Sequence, residues 1–323
     1  MHAALISLGS LGFLFGLILA VASYIFRVET DERIVRIAEA LPGANCGGCG
    51  FPGCTGYAEA IVKKGASLSL CSPGGTPVLK SIETIMGASS GTVLKKVAFV
   101  RCRGGNSLTR KSFNYVGIHD CAAANLVACG DKSCSFGCLG YATCVASCPF
   151  GAMTMSQEGL PVVNPDLCTG CGKCLGSCPR GLIVLVPAEK KVHVACISKD
   201  NGPAVKKVCE TGCIACRICE KVCPVDAISV KDNYASIDYE KCIECMLCVG
   251  KCPVKVIQGE PREKKIALIG NECIGCTICV KACPVAAISG ERKAKHVVDK
   301  TKCIGCGLCI SKCPKKAISL LKA

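Results

Sequence analysis

CIACRICEKVCP, residues 213–224, follows the rule C-x2-C-x2-C-x3-C-P, and the chain repeats that rule five times. The runs are Cys168, Cys171, Cys174 and Cys178; Cys213, Cys216, Cys219 and Cys223; Cys242, Cys245, Cys248 and Cys252; Cys273, Cys276, Cys279 and Cys283; and Cys303, Cys306, Cys309 and Cys313. A sixth run is stretched: Cys134-x3-Cys138-x5-Cys144-x3-Cys148, again followed by proline. Three cysteines in a short turn can hold three corners of one [4Fe–4S] cubane, and the cysteine before proline faces a neighbouring cubane. The runs are therefore expected in pairs, each pair a ferredoxin-like module with two clusters.

Crosswise ligation then predicts six sets. Cys134, Cys138 and Cys144 join Cys178, while Cys168, Cys171 and Cys174 join Cys148. Cys213, Cys216 and Cys219 join Cys252, while Cys242, Cys245 and Cys248 join Cys223. Cys273, Cys276 and Cys279 join Cys313, while Cys303, Cys306 and Cys309 join Cys283. A seventh cluster is expected upstream, where PGANCGGCGFPGC (residues 42–54) and Cys71 give the spacing Cys46-x2-Cys49-x4-Cys54-x16-Cys71. Glycines there let the backbone bend around a cluster and aim N–H groups at its sulfides. Zinc also takes four thiolates, but an x2, x2, x3-C-P rule repeated five times is not a zinc-ribbon pattern.

Five of the 33 cysteines fall outside these motifs: Cys102, Cys121, Cys129, Cys196 and Cys209. Either they are buried thiols, which pack as small hydrophobes, or four of them bind one more metal or cluster. Strand-like residues 97–100 lead to Cys102, and residues 192–197 contain Cys196. A helical stretch follows each, then Cys121 or Cys129 in one case and Cys209 in the other. These two units are expected to form a small α/β insertion around the first module.

The composition supports clusters rather than a large core. The chain of 323 residues has no Trp and 4% aromatics. Its formal charge of +15 would suggest nucleic acid, but seven clusters at roughly −2 each bring the holo-protein near neutrality. With few aromatics to stack bases, nucleic-acid binding is not expected. The basic excess is uneven. Residues 262–323 carry 13 Lys and Arg against 4 Asp and Glu, whereas residues 201–261 carry 8 against 8 and residues 131–200 carry 6 against 5.

Residues 3–26, AALISLGSLGFLFGLILAVASYIF, have no charged side chain and read as a transmembrane helix. The competing signal peptide, with Ala20-Val21-Ala22 as a cleavage site, lacks a preceding Lys or Arg. Arg27, Arg33 and Arg36 follow the run, so the positive-inside rule places the N-terminus outside and the cluster domains in the cytoplasm of a single-pass inner-membrane protein. The predicted fold class is an α+β multidomain chain. It has a transmembrane anchor (1–27), a single [4Fe–4S] domain (28–75), a linker (76–92), a first stretch of the α/β insertion (93–130), ferredoxin module 1 (131–187), a second stretch of the insertion (188–209), module 2 (210–261) and module 3 (262–323). The linker contains a candidate hinge at residues 87–92. No G-x-G-x-x-G follows a strand to open a helix, so no dinucleotide site is expected. No catalytic residue is expected either, and His193 and His296 are expected to be structural.

An apolar helix, then PGANCGGCGFPGC, then CSFGCLGYATCVASCPFGA (residues 134–152), then further cysteine runs: this order resembles the B subunit of the Rnf complex across essentially the whole chain. The two C-terminal modules make it an extended polyferredoxin form. The resemblance implies an electron-transfer subunit of a membrane-bound, ion-translocating ferredoxin:NAD+ oxidoreductase. Implied partners are flavin- and NAD-bearing subunits of the complex and soluble ferredoxin as electron donor. The alternative is a polyferredoxin subunit of another membrane redox complex, of hydrogenase or heterodisulfide-reductase type.

Overall fold

A computed structural model describes residues 2–25, 31–91, 94–260 and 265–322, with side chains from residue 9 onward. The chain divides into two compact units. One comprises Met1–Asn45 and Cys49–Thr92, the other Cys46–Gly48 and Val93–Ala323.

The first unit is helical: α1 (His2–Ile25), α2 (Glu32–Ala40), α3 (Gly53–Lys64) and α4 (Gly75–Met86). Asp31 caps α2 by accepting from the Arg33 N–H at 2.9 Å. The apolar face of α2 is buried through Ile34 and Ile37, and these pack with Tyr57, Ile61 and Ile82. α3 and α4 both end on left-handed glycines, Gly65 and Gly87, which close a helix without a Cβ penalty. Within the candidate hinge, Glu83 accepts a hydrogen bond from the Ser90 N–H at 2.5 Å. Thr92 lies outside the described residues.

The expected transmembrane anchor requires correction. Among the described residues, no helix is long and apolar enough to cross a membrane. Arg27, on which the orientation rested, lies outside the described residues. The single-pass location with outside N-terminus and cytoplasmic cluster domains falls with the anchor.

The second unit repeats one plan three times. β1 (Lys96–Val100), α5 (Cys121–Leu126), α6 (Thr143–Ala146), β2 (Met153–Met155), β3 (Pro161–Val163), α7 (Lys173–Gly176) and β4 (Ile183–Pro187) make the first copy. The second copy is β5 (Val192–Val194), α8 (Gly202–Val208), α9 (Ile218–Lys221), β6 (Ile228–Lys231), β7 (Tyr234–Ile237), α10 (Leu247–Lys251) and β8 (Ile257–Gly259). β9 (Lys265–Ile269), α11 (Ile278–Ala282), β10 (Ile288–Ser289), β11 (Val297–Val298), α12 (Leu308–Ser311) and β12 (Ile318–Lys322) make the third.

In each copy the middle strands form a hairpin, β2–β3, β6–β7 or β10–β11. The first and last strands close the module antiparallel, as β1–β4, β5–β8 and β9–β12. β1 and β5, expected as strands of one insertion, therefore pair with β4 and β8 and not with each other. Each copy has its own core. Val97, Met153, Ile183 and Val186 surround Cys144, Cys168 and Cys174 in the first, and similar sets surround cysteines in the other two.

The turns before the cysteine helices share one conformation. Ala142, Gly172, Arg217, Met246, Thr277 and Gly307 all precede a helix in the left-handed region. Four of these residues have a Cβ, which costs about 1–2 kcal/mol each. Such strain persists where the surroundings over-determine the turn, and here the turn curls the cysteines inward.

Candidate metal centres

Among the described residues, cysteines build the walls of five cavities. In the third module, Cys273, Cys276, Cys279 and Cys313 line one of about 310 Å³. Cys283, Cys303, Cys306 and Cys309 line another of about 320 Å³. In the first module, Cys148, Cys168, Cys171 and Cys174 line a cavity of about 330 Å³. These groupings coincide with three of the crosswise sets.

The middle module groups its thiols the same way. Burial, and then the neighbouring thiols Cys213, Cys216 and Cys252, push Cys219 up to about 11. Burial first, followed by Cys245, Cys242, Cys219 and Cys223, pushes Cys248 up to about 12. Cys245 is raised by burial and also feels Cys306, so the middle and third modules bring cysteines near each other.

The stretched run behaves differently. A cavity of about 350 Å³ is lined by Cys138, Cys144 and Cys178, but its fourth cysteine is Cys121, not Cys134. Cys121 opens α5, where its N–H donates to Thr143 Oγ1 at 2.8 Å and Thr143 donates to Asp120 at 2.8 Å. Cys134 lines a separate cavity of about 370 Å³ together with Cys102, Cys196 and Cys209. Arg180 holds the intervening loop, donating to the carbonyls of Cys134 at 2.8 Å, Gly137 at 2.5 Å and Cys129. Cys129 is exposed and lines none of these five cavities.

In the first unit, Cys49, Cys54 and Cys71 pack beside the helical core. Cys46 is grouped with the other unit. Tyr57 fixes the segment before Cys71: its hydroxyl donates to Ser67 O at 2.7 Å and accepts from the Leu70 N–H at 3.2 Å. Burial pushes the Tyr57 phenol up to about 12.

The donor set fits a cubane. Backbone N–H groups aim at candidate ligand sulfurs: Ala98 at Cys168 (3.4 Å), Leu182 at Cys178 (3.4 Å), Ala227 at Cys223 (3.2 Å), Ala287 at Cys283 (3.2 Å) and Ala267 at Cys303 (3.5 Å). Such donors stabilise thiolates and tune cluster potentials. Among the described residues, no three His, Cys, Asp or Glu side chains come together closely enough to hold a single metal ion.

The sequence did not give the partners of three residues, Cys121, His296 and Arg180. Cys121 had no local signal. His296 is buried with Nδ1 3.3 Å from Cys273 Sγ, and its backbone N–H, then its ring, pull that thiol down to about 7. Arg180 reads as an ordinary basic residue after Cys-Pro. His193 has the structural role expected, with Nδ1 2.8 Å from the Tyr239 hydroxyl.

Comparison with known proteins agrees with this chemistry. A putative Fe-S cluster family matches residues 41–73. 4Fe-4S dicluster domains match residues 212–256, 235–289 and 267–320, and a 4Fe-4S binding domain matches residues 160–183. The B subunit of the ion-translocating oxidoreductase complex of Methanosarcina acetivorans is 47% identical over 72% of this chain and 89% of its own length. The B subunit of the Na(+)-translocating ferredoxin:NAD(+) oxidoreductase complex of Acetobacterium woodii is 45% identical, covering 72% of this chain and 70% of its own. The B subunit of the proton-translocating ferredoxin:NAD(+) oxidoreductase complex of Clostridium ljungdahlii is 44% identical, with 71% and 81% covered. With this identity along most of its length, and with iron–sulfur domains matched from residue 41 to residue 320, the chain belongs to the family of B subunits of ion-translocating oxidoreductase complexes.

Proposed function

We propose that the chain carries electrons through [4Fe–4S] centres, as the electron-transfer subunit of an ion-translocating ferredoxin:NAD+ oxidoreductase. The observation that carries this reading is the wall composition of the cavities, in which cysteines from two runs meet around each space. When bound, the cubanes supply one-electron carriers. The chain's own residues ligate them, surround them with small apolar side chains and direct N–H groups at the thiolates. Seven centres follow from the motifs: the six module sets, with Cys121 standing in for Cys134 in the set of Cys138, Cys144 and Cys178, and the set of Cys46, Cys49, Cys54 and Cys71.

Electrons enter at the third module in this proposal. After subtraction of roughly 4 negative charges for two clusters, that module keeps about +5, while the others become negative. Arg292, Lys293, Lys295, Lys315 and Lys316 are exposed there and would steer an acidic ferredoxin. The remaining subunits of the complex take the electrons onward to NAD+. Anaerobic chain mixed with reduced ferredoxin should lose its visible cluster absorbance on reduction. Absorbance that stays constant would overturn the proposal.

A further inference from the structure

We infer that Cys102, Cys134, Cys196 and Cys209 hold one more iron–sulfur cubane, placed between the first and middle modules. The inference rests on the reading that cavities of this kind in the chain hold cubanes.

The stretched run explains why Cys134 is available. Counting back from Cys148 by the rule of the other five runs puts the first ligand at Cys138, the second at Tyr141 and the third at Cys144. Cys134 lies outside that register, and the position that lacks a thiol is Tyr141. Cys121 supplies the missing corner from α5. Cys134 instead faces the cavity shared with Cys102, Cys196 and Cys209.

That cavity has the features of the other centres. Its wall carries four cysteines, as the walls of the other centres do. The Cys138 N–H points at Cys102 Sγ (3.3 Å) and the Ser198 N–H at Cys196 Sγ (3.4 Å), as backbone donors do at the module cysteines. The Thr109 hydroxyl approaches Cys209 Sγ at 3.8 Å. A Cβ on Gly104 would sit 3.1 Å from Cys209 Sγ and 2.3 Å from Thr109 Oγ1, so only glycine leaves this wall free.

The charge also fits. Arg101 and Arg103 line the cavity. Lys132 is 4% exposed, donates to Gly104 O at 3.2 Å, and its charge acts on Cys102 as well as on Glu158. A buried ammonium beside four neutral thiols is costly, whereas beside an anionic cluster it is compensated. Each thiol releases its proton to water as its Sγ–Fe bond forms, and no electron moves in that step.

The placement suits an electron relay. Cys102 follows β1 of the first module, Cys196 follows β5 of the second, and Thr109 bridges to Cys209. On one side the cavity meets Cys138, and on the other the Cys213 N–H reaches Cys196. The first and middle modules thereby gain a centre between them.

The test is iron and acid-labile sulfide per chain, measured on anaerobically prepared full-length variants. The parent should hold about 32 irons. Cys102→Ser and Cys209→Ser should each lose about four irons, and the pair Cys102→Ser/Cys134→Ser should lose no more than about four. Cys121→Ser/Cys134→Ser should lose about eight, and Cys129→Ser none. Unchanged iron in Cys102→Ser and Cys209→Ser, or a loss of about eight in Cys102→Ser/Cys134→Ser, would overturn the inference and leave the other centres standing. A parent with about four irons or fewer would instead remove the cubane reading itself. Should Cys102→Ser fail to fold, Cys102→Asp keeps a weak ligand. It is expected to give a new three-iron EPR signal on oxidation, and the absence of that signal would count against the site.

Discussion

Replacing His296 by leucine should lower the reduction potential of the centre lined by Cys273, Cys276, Cys279 and Cys313. His296 is 2% exposed, and its Nδ1 lies 3.3 Å from Cys273 Sγ. An iron-bound thiolate has no S–H, so Nδ1 must be the donor in the loaded protein. Reduction adds negative charge to the cluster and its sulfurs, so the hydrogen bond is stronger in the reduced state. A hydrogen bond to a charged group contributes about 1.5–3 kcal/mol. If about 1 kcal/mol of this appears only on reduction, its loss lowers a one-electron potential by about 40 mV. Leucine keeps the site apolar and removes the donor without adding charge. EPR-monitored redox titrations of parent and variant would show one component moving down while the others stay. A component that does not move, or moves up, would refute the reasoning.

Reversing Arg292, Lys293, Lys295, Lys315 and Lys316 to glutamate should cut the second-order rate of reduction by ferredoxin roughly tenfold or more at low salt, with a smaller loss at high salt; an unchanged rate and salt dependence would place electron entry elsewhere. Arg180→Met removes the donor to the carbonyls of Cys129, Cys134 and Gly137. It should make iron at the Cys138 and Cys134 centres labile to chelators, and parent-like retention would contradict this. Tyr57→Phe removes the hydroxyl shared by Ser67 and Leu70. It should cost about 1–2 kcal/mol locally, read as faster iron loss from the first unit.

Much of the second unit was legible because its signals are local. Each C-x2-C-x2-C-x3-C-P run fixes a turn, a one-turn helix and an outward fourth cysteine, and three crosswise sets reappear as cavity walls. What the sequence did not show was long-range. β1 closes onto β4 across most of the first module, and no local pattern names that partner. The stretched run was read with Cys134 as its first ligand, although counting back from Cys148 puts Tyr141 where the rule wants a thiol. Only folding shows that Cys121, 20 residues before Tyr141 in the numbering, fills the gap. The apolar N-terminal run was over-read, since hydropathy alone does not establish a crossing.

Iron and acid-labile sulfide, counted per chain on protein purified without oxygen, test the central claim most directly. Seven motif centres give about 28 of each, and the additional centre raises the count to about 32. About four irons or fewer, or zinc in place of iron with no sulfide, would contradict the account.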